Sequence, residues 1–337
     1  MSHEITKTDG LVLAQQGAWH GMGVVVQEAP TPLEALKIAG IESGVKPLKL
    51  KAYDDEGNEY LIDSHVANYR VDNNQMLGIV SAAYQIVQNI EVAEFCEALQ
   101  ITDQKVKVET AGTIRGGKRM WMLCRGESFD VANGDTMFPY LLVSNGHDGG
   151  APFRVTPTTI RAVCSNTLHM VVPRKDTGEL LSSAFVMRHG SKIMDRIEEA
   201  KEALKNYATA QQQMKEVADR LAAKLVDTEA MQKFFFEAYQ TEFGEIPTNP
   251  TNKREENRKA KAMSALGSFT RRFDDEKLIA GASAWNMLNA FTGLVQHDMK
   301  AKGADDTNRV VRRVESNLFG LNQKRSQAAL RLAYAGL

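Results

Sequence analysis

Lys105-Val106-Lys107-Val108-Glu109, Arg115-Gly116-Gly117-Lys118 and Met120-Trp121-Met122-Leu123-Cys124 read together as one antiparallel hairpin. The first run alternates charged and apolar residues with the period of two that a strand imposes. The glycines supply a turn, and the third run is apolar on both faces, as a buried strand is. Two more strands follow, at 138–144 and 152–156, separated by Asn145-Gly146-His147-Asp148-Gly149-Gly150. Pro157-Thr158 then opens an expected helix with the apolar stripe Ile160, Val163, Cys164, Leu168 and Val171.

Upstream, Thr31-Pro32, Leu33, Leu36, Ile38 and Gly40 have the cap, first-turn proline and terminal glycine of a short helix. From Lys46 the pattern turns to period two: Leu48, Leu50 and Ala52, the acidic turn 54–58, then Tyr60, Ile62, Val66, Tyr69 and Val71. A further turn at Asp72-Asn73-Asn74 leads into 76–80, completing an antiparallel meander. Asn89 caps a helix carrying Val92, Phe95, Cys96 and Leu99. After a strand at 184–188 the chain becomes helical. One repeat runs from Ile193 to Leu225, and further helices are expected at 229–242, 254–271, 282–298 and 308–334. The fold class is therefore α+β: residues 1–100 a small α+β block, 101–190 a hairpin, strand and helix block, and 191–337 a helical part.

The composition, 43% hydrophobic and 25% charged over 337 residues, is that of a chain able to bury a core. No apolar run approaches the roughly 20 residues needed to span a bilayer, and the start lacks a secretory pattern, so cytoplasm is the expected compartment. Cys96, Cys124 and Cys164 are odd in number and widely spaced, which suits buried thiols rather than a disulfide framework or zinc ribbon. Charge is uneven. Residues 1–100 hold 6 basic and 14 acidic side chains, against 35 and 28 in the remainder.

His147-Asp148 and His297-Asp298 invite a metal-hydrolase reading, but His147 and Asp148 sit between glycines with no further ligands at helical spacing. Turn hydrogen bonding by Asp148 is the simpler expectation. Cys164 and His169, five residues apart on the expected helix, point about 140° apart and do not form a nucleophile pair. Gly21-Met22-Gly23 and Arg115-Gly116-Gly117-Lys118 lack the spacing of phosphate-binding loops. No cofactor and no metal is expected.

The favoured set is basic. Lys105, Lys107, Arg115, Lys118, Arg119 and Arg125 face one acidic residue, Glu109; Arg154 lies on the following strand, and Arg161, Ser165 and His169 form a polar stripe on the expected helix. Donors in such a groove track a phosphate backbone, with Trp121 or Phe153 as a stacking face.

Several motifs resemble those of a phage and plasmid family known as domain of unknown function 932. They are 68–71, 77–81, 84–89, 144–149, 159–168, Arg188-His189, 284–290 and Leu318-Phe319-Gly320. The resemblance spans roughly 19–335 and implies a mobile-element setting, with no activity to transfer. A weaker architectural likeness, to phage single-strand annealing proteins, adds a basic groove in a ring or filament. The expected function is non-catalytic DNA binding in phage or plasmid recombination or replication, with single-stranded DNA as partner and self-association through the C-terminal helices. A metal-dependent nuclease using His147 and Asp148, and a protein that binds a phage or host factor, are the alternatives.

Overall fold

The computed structural model describes residues 9–14, 23–99, 107–131, 134–161, 167–169, 171–173, 180–182, 184–204, 207–299, 312–313, 316–317 and 320–336. Its elements run β1 (Leu11–Ala14), β2 (Val24–Val26), α1 (Pro32–Ile38), β3 (Val45–Tyr53), β4 (Glu59–Arg70), β5 (Met76–Ser81), α2 (Asn89–Ala98), β6 (Lys107–Ile114), β7 (Arg119–Arg125), β8 (Phe129–Val131), β9 (Asp135–Gly146), β10 (Phe153–Arg161), β11 (Thr167–His169), β12 (Val171–Pro173), β13 (Leu180–Ser182), β14 (Phe185–Met187), α3 (Ile193–Leu204), α4 (Tyr207–Ala223), α5 (Thr228–Phe243), α6 (Lys253–Ala280), α7 (Ala284–Gly293), a π-helical turn (Leu294–Asp298) and α8 (Leu321–Ala335). The class is α+β, strand-rich first and helical after. Among the described residues no helix is long and apolar enough to cross a membrane.

Two compact units share the chain. One comprises Met1–Glu127, Tyr140–Pro157 and Ser183–Thr209; the other Ser128–Pro139, Thr158–Ser182 and Ala210–Leu337. In the first, the expected hairpin is present. β6 and β7 pair antiparallel from Lys107↔Arg125 to Ile114↔Arg119, and β7 pairs β9 from Arg119↔Gly146 to Arg125↔Tyr140. β1 adds to β6 antiparallel and carries β2 in parallel, while β14 pairs β10. Met120, Met122 and Cys124 alternate onto one face of β7, where the Cys124 thiol meets Cys96 of α2. Phe95 of α2 sets its ring edge-on to Phe153 of β10, centroids 5.5 Å apart. The reciprocal capping box of Thr31 and Glu34 fixes the start of α1, with Glu34 N donating to Thr31 Oγ1 and Thr31 N to Glu34 Oε2.

The second unit is built on aromatics. Phe234 and Phe235 of α5, Phe269 of α6 and Phe291 of α7 lie with ring centroids 5.2–6.4 Å apart. Trp285 is fully buried and donates its indole N–H to Asp135 Oδ2 at 2.7 Å. Gly244, at φ 86°, closes α5 as the sequence suggests.

One expectation is corrected. The helix expected to open at Pro157 is strand β10 through Arg161, and His169 stands on β11. Val155, Thr156, Thr158, Thr159 and Ile160 are β-branched, and they outweigh the proline that read as a first helical turn. Residues 162–166, with Cys164 and Ser165, lie outside the described residues. Within the helix expected over 193–225, Ile193–Leu204 and Tyr207–Ala223 are helical, 205–206 lie outside the described residues, and Val217 and Leu221 are buried within the chain. The apolar surface on which self-association through that helix rested is therefore core, leaving Leu225 exposed.

Candidate functional site

The register of β6 and β7 decides which basic residues meet. Lys107 is exposed and lies directly across from Arg125, whose Nη1 is 3.5 Å from Glu109 Oε2. Arg119, Trp121 and Arg125 share a face, but Arg119 and Arg125 stand six residues apart, about 20 Å along the strand. The basic set therefore falls into two groups, Arg115, Lys118 and Arg119 near the turn and Lys107 with Arg125 at the far end. Trp121, only 4% exposed, and Phe153, fully buried, are core residues and give no face on which a base can stack. Arg154 is half-buried, and burial pulls its pKa below the usual guanidinium range. Arg161 closes β10. Lys105 lies outside the described residues.

The turn is not a free arm. Asp9 accepts from Gly116 N at 2.8 Å, Gly117 N at 2.7 Å and Thr113 Oγ1 at 2.8 Å. Gly117, at φ 89°, leaves room for Arg70, since a Cβ there would meet Arg70 Cδ at 2.9 Å. Asp9→Ala strips both amides of an acceptor. It is expected to destabilise the turn by about 1–3 kcal/mol, seen as at least roughly tenfold faster hydrogen exchange at Gly116 and Gly117. Unchanged exchange would show that the turn is held by other means.

What the first unit gathers most closely is a buried polar cluster around 145–148. Asn68 Nδ2 donates to His147 O at 2.9 Å, Asn145 Nδ2 to Val87 O at 2.8 Å, and Asn89 Nδ2 to Ile41 O at 2.9 Å. His147 Nε2 lies 2.9 Å from Asn89 Oδ1. Because that oxygen only accepts, the imidazole carries its proton on Nε2, and Nδ1 is a buried lone pair without a hydrogen-bond partner. Burial, then the proximity of His189, holds the His147 pKa down at about 4, against the pull of Asp148. His189 donates from Nδ1 to Gln85 O at 2.9 Å and stacks on Tyr84, centroids 4.5 Å apart. Burial lowers its pKa too. Tyr84 Oη donates to Gly146 O at 2.6 Å, and burial raises its pKa. Gly78 admits the Asp148 backbone, where a Cβ would approach to 2.8 Å, and Asp148 Oδ1 accepts from Gly150 N at 2.8 Å as the turn reading expects.

Chemically the cluster is a neutral node that locks the β9–β10 loop to β4, β5 and α2. His147 stays neutral and does not titrate near neutral pH, and among the described residues no three His, Cys, Asp or Glu side chains gather as a metal-binding set. Sequence reasoning treated Asn68, Tyr84 and His189 only as parts of motifs and Asn89 as a helix cap, a position that Gln88 holds instead. The available signal was a tyrosine, asparagines and a histidine set among apolar residues, where a polar group needs a specific acceptor or donor.

A strand-rich unit holding a neutral polar node, followed by a helical unit with an aromatic core, defines an α+β protein whose tightest cluster is structural. Comparison with protein-family models matches residues 76–318 to the family described as a domain of unknown function, DUF932, and the chain belongs to that family. No curated protein matches the chain, and no solved structure does.

Proposed function

We propose that the protein is a non-catalytic DNA-binding protein of phage or plasmid recombination or replication, of the single-strand annealing kind, acting in the cytoplasm as an oligomer and without a cofactor. The observation that carries the reading is the pair Lys107 and Arg125. Two cations stand directly opposite each other on neighbouring strands, the exposed Lys107 beside Arg125, whose guanidinium also reaches Glu109 at 3.5 Å. Two neighbouring cations at a strand end suit a backbone phosphate, which accepts from both. The hydrolase reading draws no support from His147, buried and bonded to Asn89, or from Asp148, engaged in its turn.

Fluorescence anisotropy with a labelled single strand tests this. Affinity is expected to fall steeply with salt, by about 0.7 log units per log unit for each phosphate neutralised. Lys107→Ala with Arg125→Ala should lower that slope by about 1.4 while leaving stability nearly unchanged, because a half-exposed ion pair contributes little. Undetectable binding at about 50 mM salt overturns the proposal. So does magnesium-dependent degradation of the strand.

A further inference from the structure

The three-stranded sheet of β3, β4 and β5 has one face on which large apolar side chains stand exposed around a buried Ala67. Its register sets Lys46 across from Tyr69 and Tyr69 from Met76, Leu48 from Ala67 and Ala67 from Ile79, Leu50 from Ile62, and Ala52 from Tyr60. Directly opposed residues share a face. The other face carries Val45, Asn68 and Arg70, all buried, and Gly78 seated on Asp148, so it is the inner one. On the outer face Leu48 is 44% exposed, Met76 47%, Tyr60 55% and Ile79 61%. An antiparallel sheet with one solvated face ordinarily turns polar side chains outward, yet this outer set is mostly apolar, its polar members being Lys46, His65 and Ser81. Beyond Lys49 and before Val66, β3 and β4 run on as a ribbon without a third strand, an arrangement marginal in water unless something packs on it.

We infer that this face is a self-association surface, covered by the same face of a second copy of this chain. Charge along the ribbon selects that occupant. Lys46 and Lys49 lie at the base; Asp54, Asp55 and Glu56 form the tip. A two-fold axis at Leu50 sets Leu50 against its own copy, Leu48 against Ala52, and Lys46 against Asp54, so one copy's acidic tip meets the other's basic base. Asp54 is fixed for this. Its carboxylate accepts from Asn58 Nδ2, Asn58 N, Tyr60 Oη and Glu56 N, bonds that hold its pKa down at about 2. The same tip repels a polyanion, which sets this surface apart from a nucleic-acid site.

The nine residues of β3 extend about 30 Å, and three strands at about 4.8 Å spacing give a face of roughly 400 Å². That is within the range of the largest patch on an ordinary monomer, and two such faces bury roughly 800 Å², the weak end of association. The dimer is therefore concentration-dependent. In light scattering across a wide concentration series, the mass should climb from 37.3 kDa toward twice that value. Ile79→Lys should hold it at the monomer value with unchanged melting, because Ile79 is exposed. Leu50→Cys, treated with a short bis-maleimide that spans facing sheets about 10 Å apart, should give a covalent dimer, each thiol adding across one maleimide double bond. A mass fixed at 37.3 kDa at every concentration overturns the inference, and so does a dimer that survives Ile79→Lys and is not captured through Leu50→Cys. The surface does not depend on the DNA reading. Ile79→Lys should still bind a single strand, and Lys107→Ala with Arg125→Ala should still dimerise, so either proposal fails visibly without the other.

Discussion

Lowering the pH from 7 toward 4 is expected to remove about 3 kcal/mol of stability through His147 alone. In the unfolded chain the imidazole titrates near 6.5; in the fold, burial holds it at about 4. A depressed histidine pKa means that the fold favours the neutral ring. Its contribution is therefore complete above pH 6.5 and is lost as pH falls to about 4, and a gap of that width corresponds to about 3 kcal/mol. A second proton would sit on Nδ1, where no acceptor waits. His189, lowered by its own burial, adds in the same direction. Urea unfolding at a series of pH values should show midpoints falling across this window. His147→Gln, whatever its own cost, should flatten the dependence. A His147 imidazole resonance titrating near 6.5 in the folded protein would contradict this reading.

The other large effect is expected at Trp285. Trp285→Ala empties the largest fully buried side chain of the second unit and should cost about 3–5 kcal/mol. Trp285→Phe separates packing from polarity. The ring is mostly kept, but the Asp135 carboxylate loses a 2.7 Å donor in a site without solvent, at about 1–3 kcal/mol. Denaturant midpoints for both variants and for Asp135→Asn resolve the two parts. A Trp285→Phe protein as stable as the parent would mean that the buried bond adds nothing.

The hairpin of β6 and β7, the meander of β3 to β5 and the capped helix α1 were legible because each rests on local chemistry: alternation, paired glycines, and a Thr-Pro start with Glu34 at the third position. The course of 157–161 was not. A proline followed by Thr-Thr-Ile reads equally as a helix start or an extended edge, and tertiary pairing decided for the strand. Trp121 illustrates the same limit at the site. Its basic neighbours were visible in the sequence, but burial depends on what covers the sheet, which spacing cannot supply. The polar cluster was hidden for a related reason. Asn68, Asn89, His147 and His189 lie up to 121 positions apart in the chain, and only the folded first unit makes hydrogen-bond acceptors of Ile41 O, Gln85 O and Val87 O.

The chain leaves and re-enters the first unit twice, at 128–139 and again at 158–182. During synthesis the leading segment therefore emerges from the ribosome without the strands β9 and β10 that flank β7 and Phe95, and α3 arrives later still. At the usual pace of about 5–20 residues per second, roughly 4–16 s separate the exit of Glu127 from that of Thr209. For the first 26 residues of that stretch, about 1–5 s, Phe95 has no Phe153 to pack against. A nascent chain of this protein is thus exposed to chaperone capture while its first unit is incomplete, and no single cut in its gene can yield either unit whole.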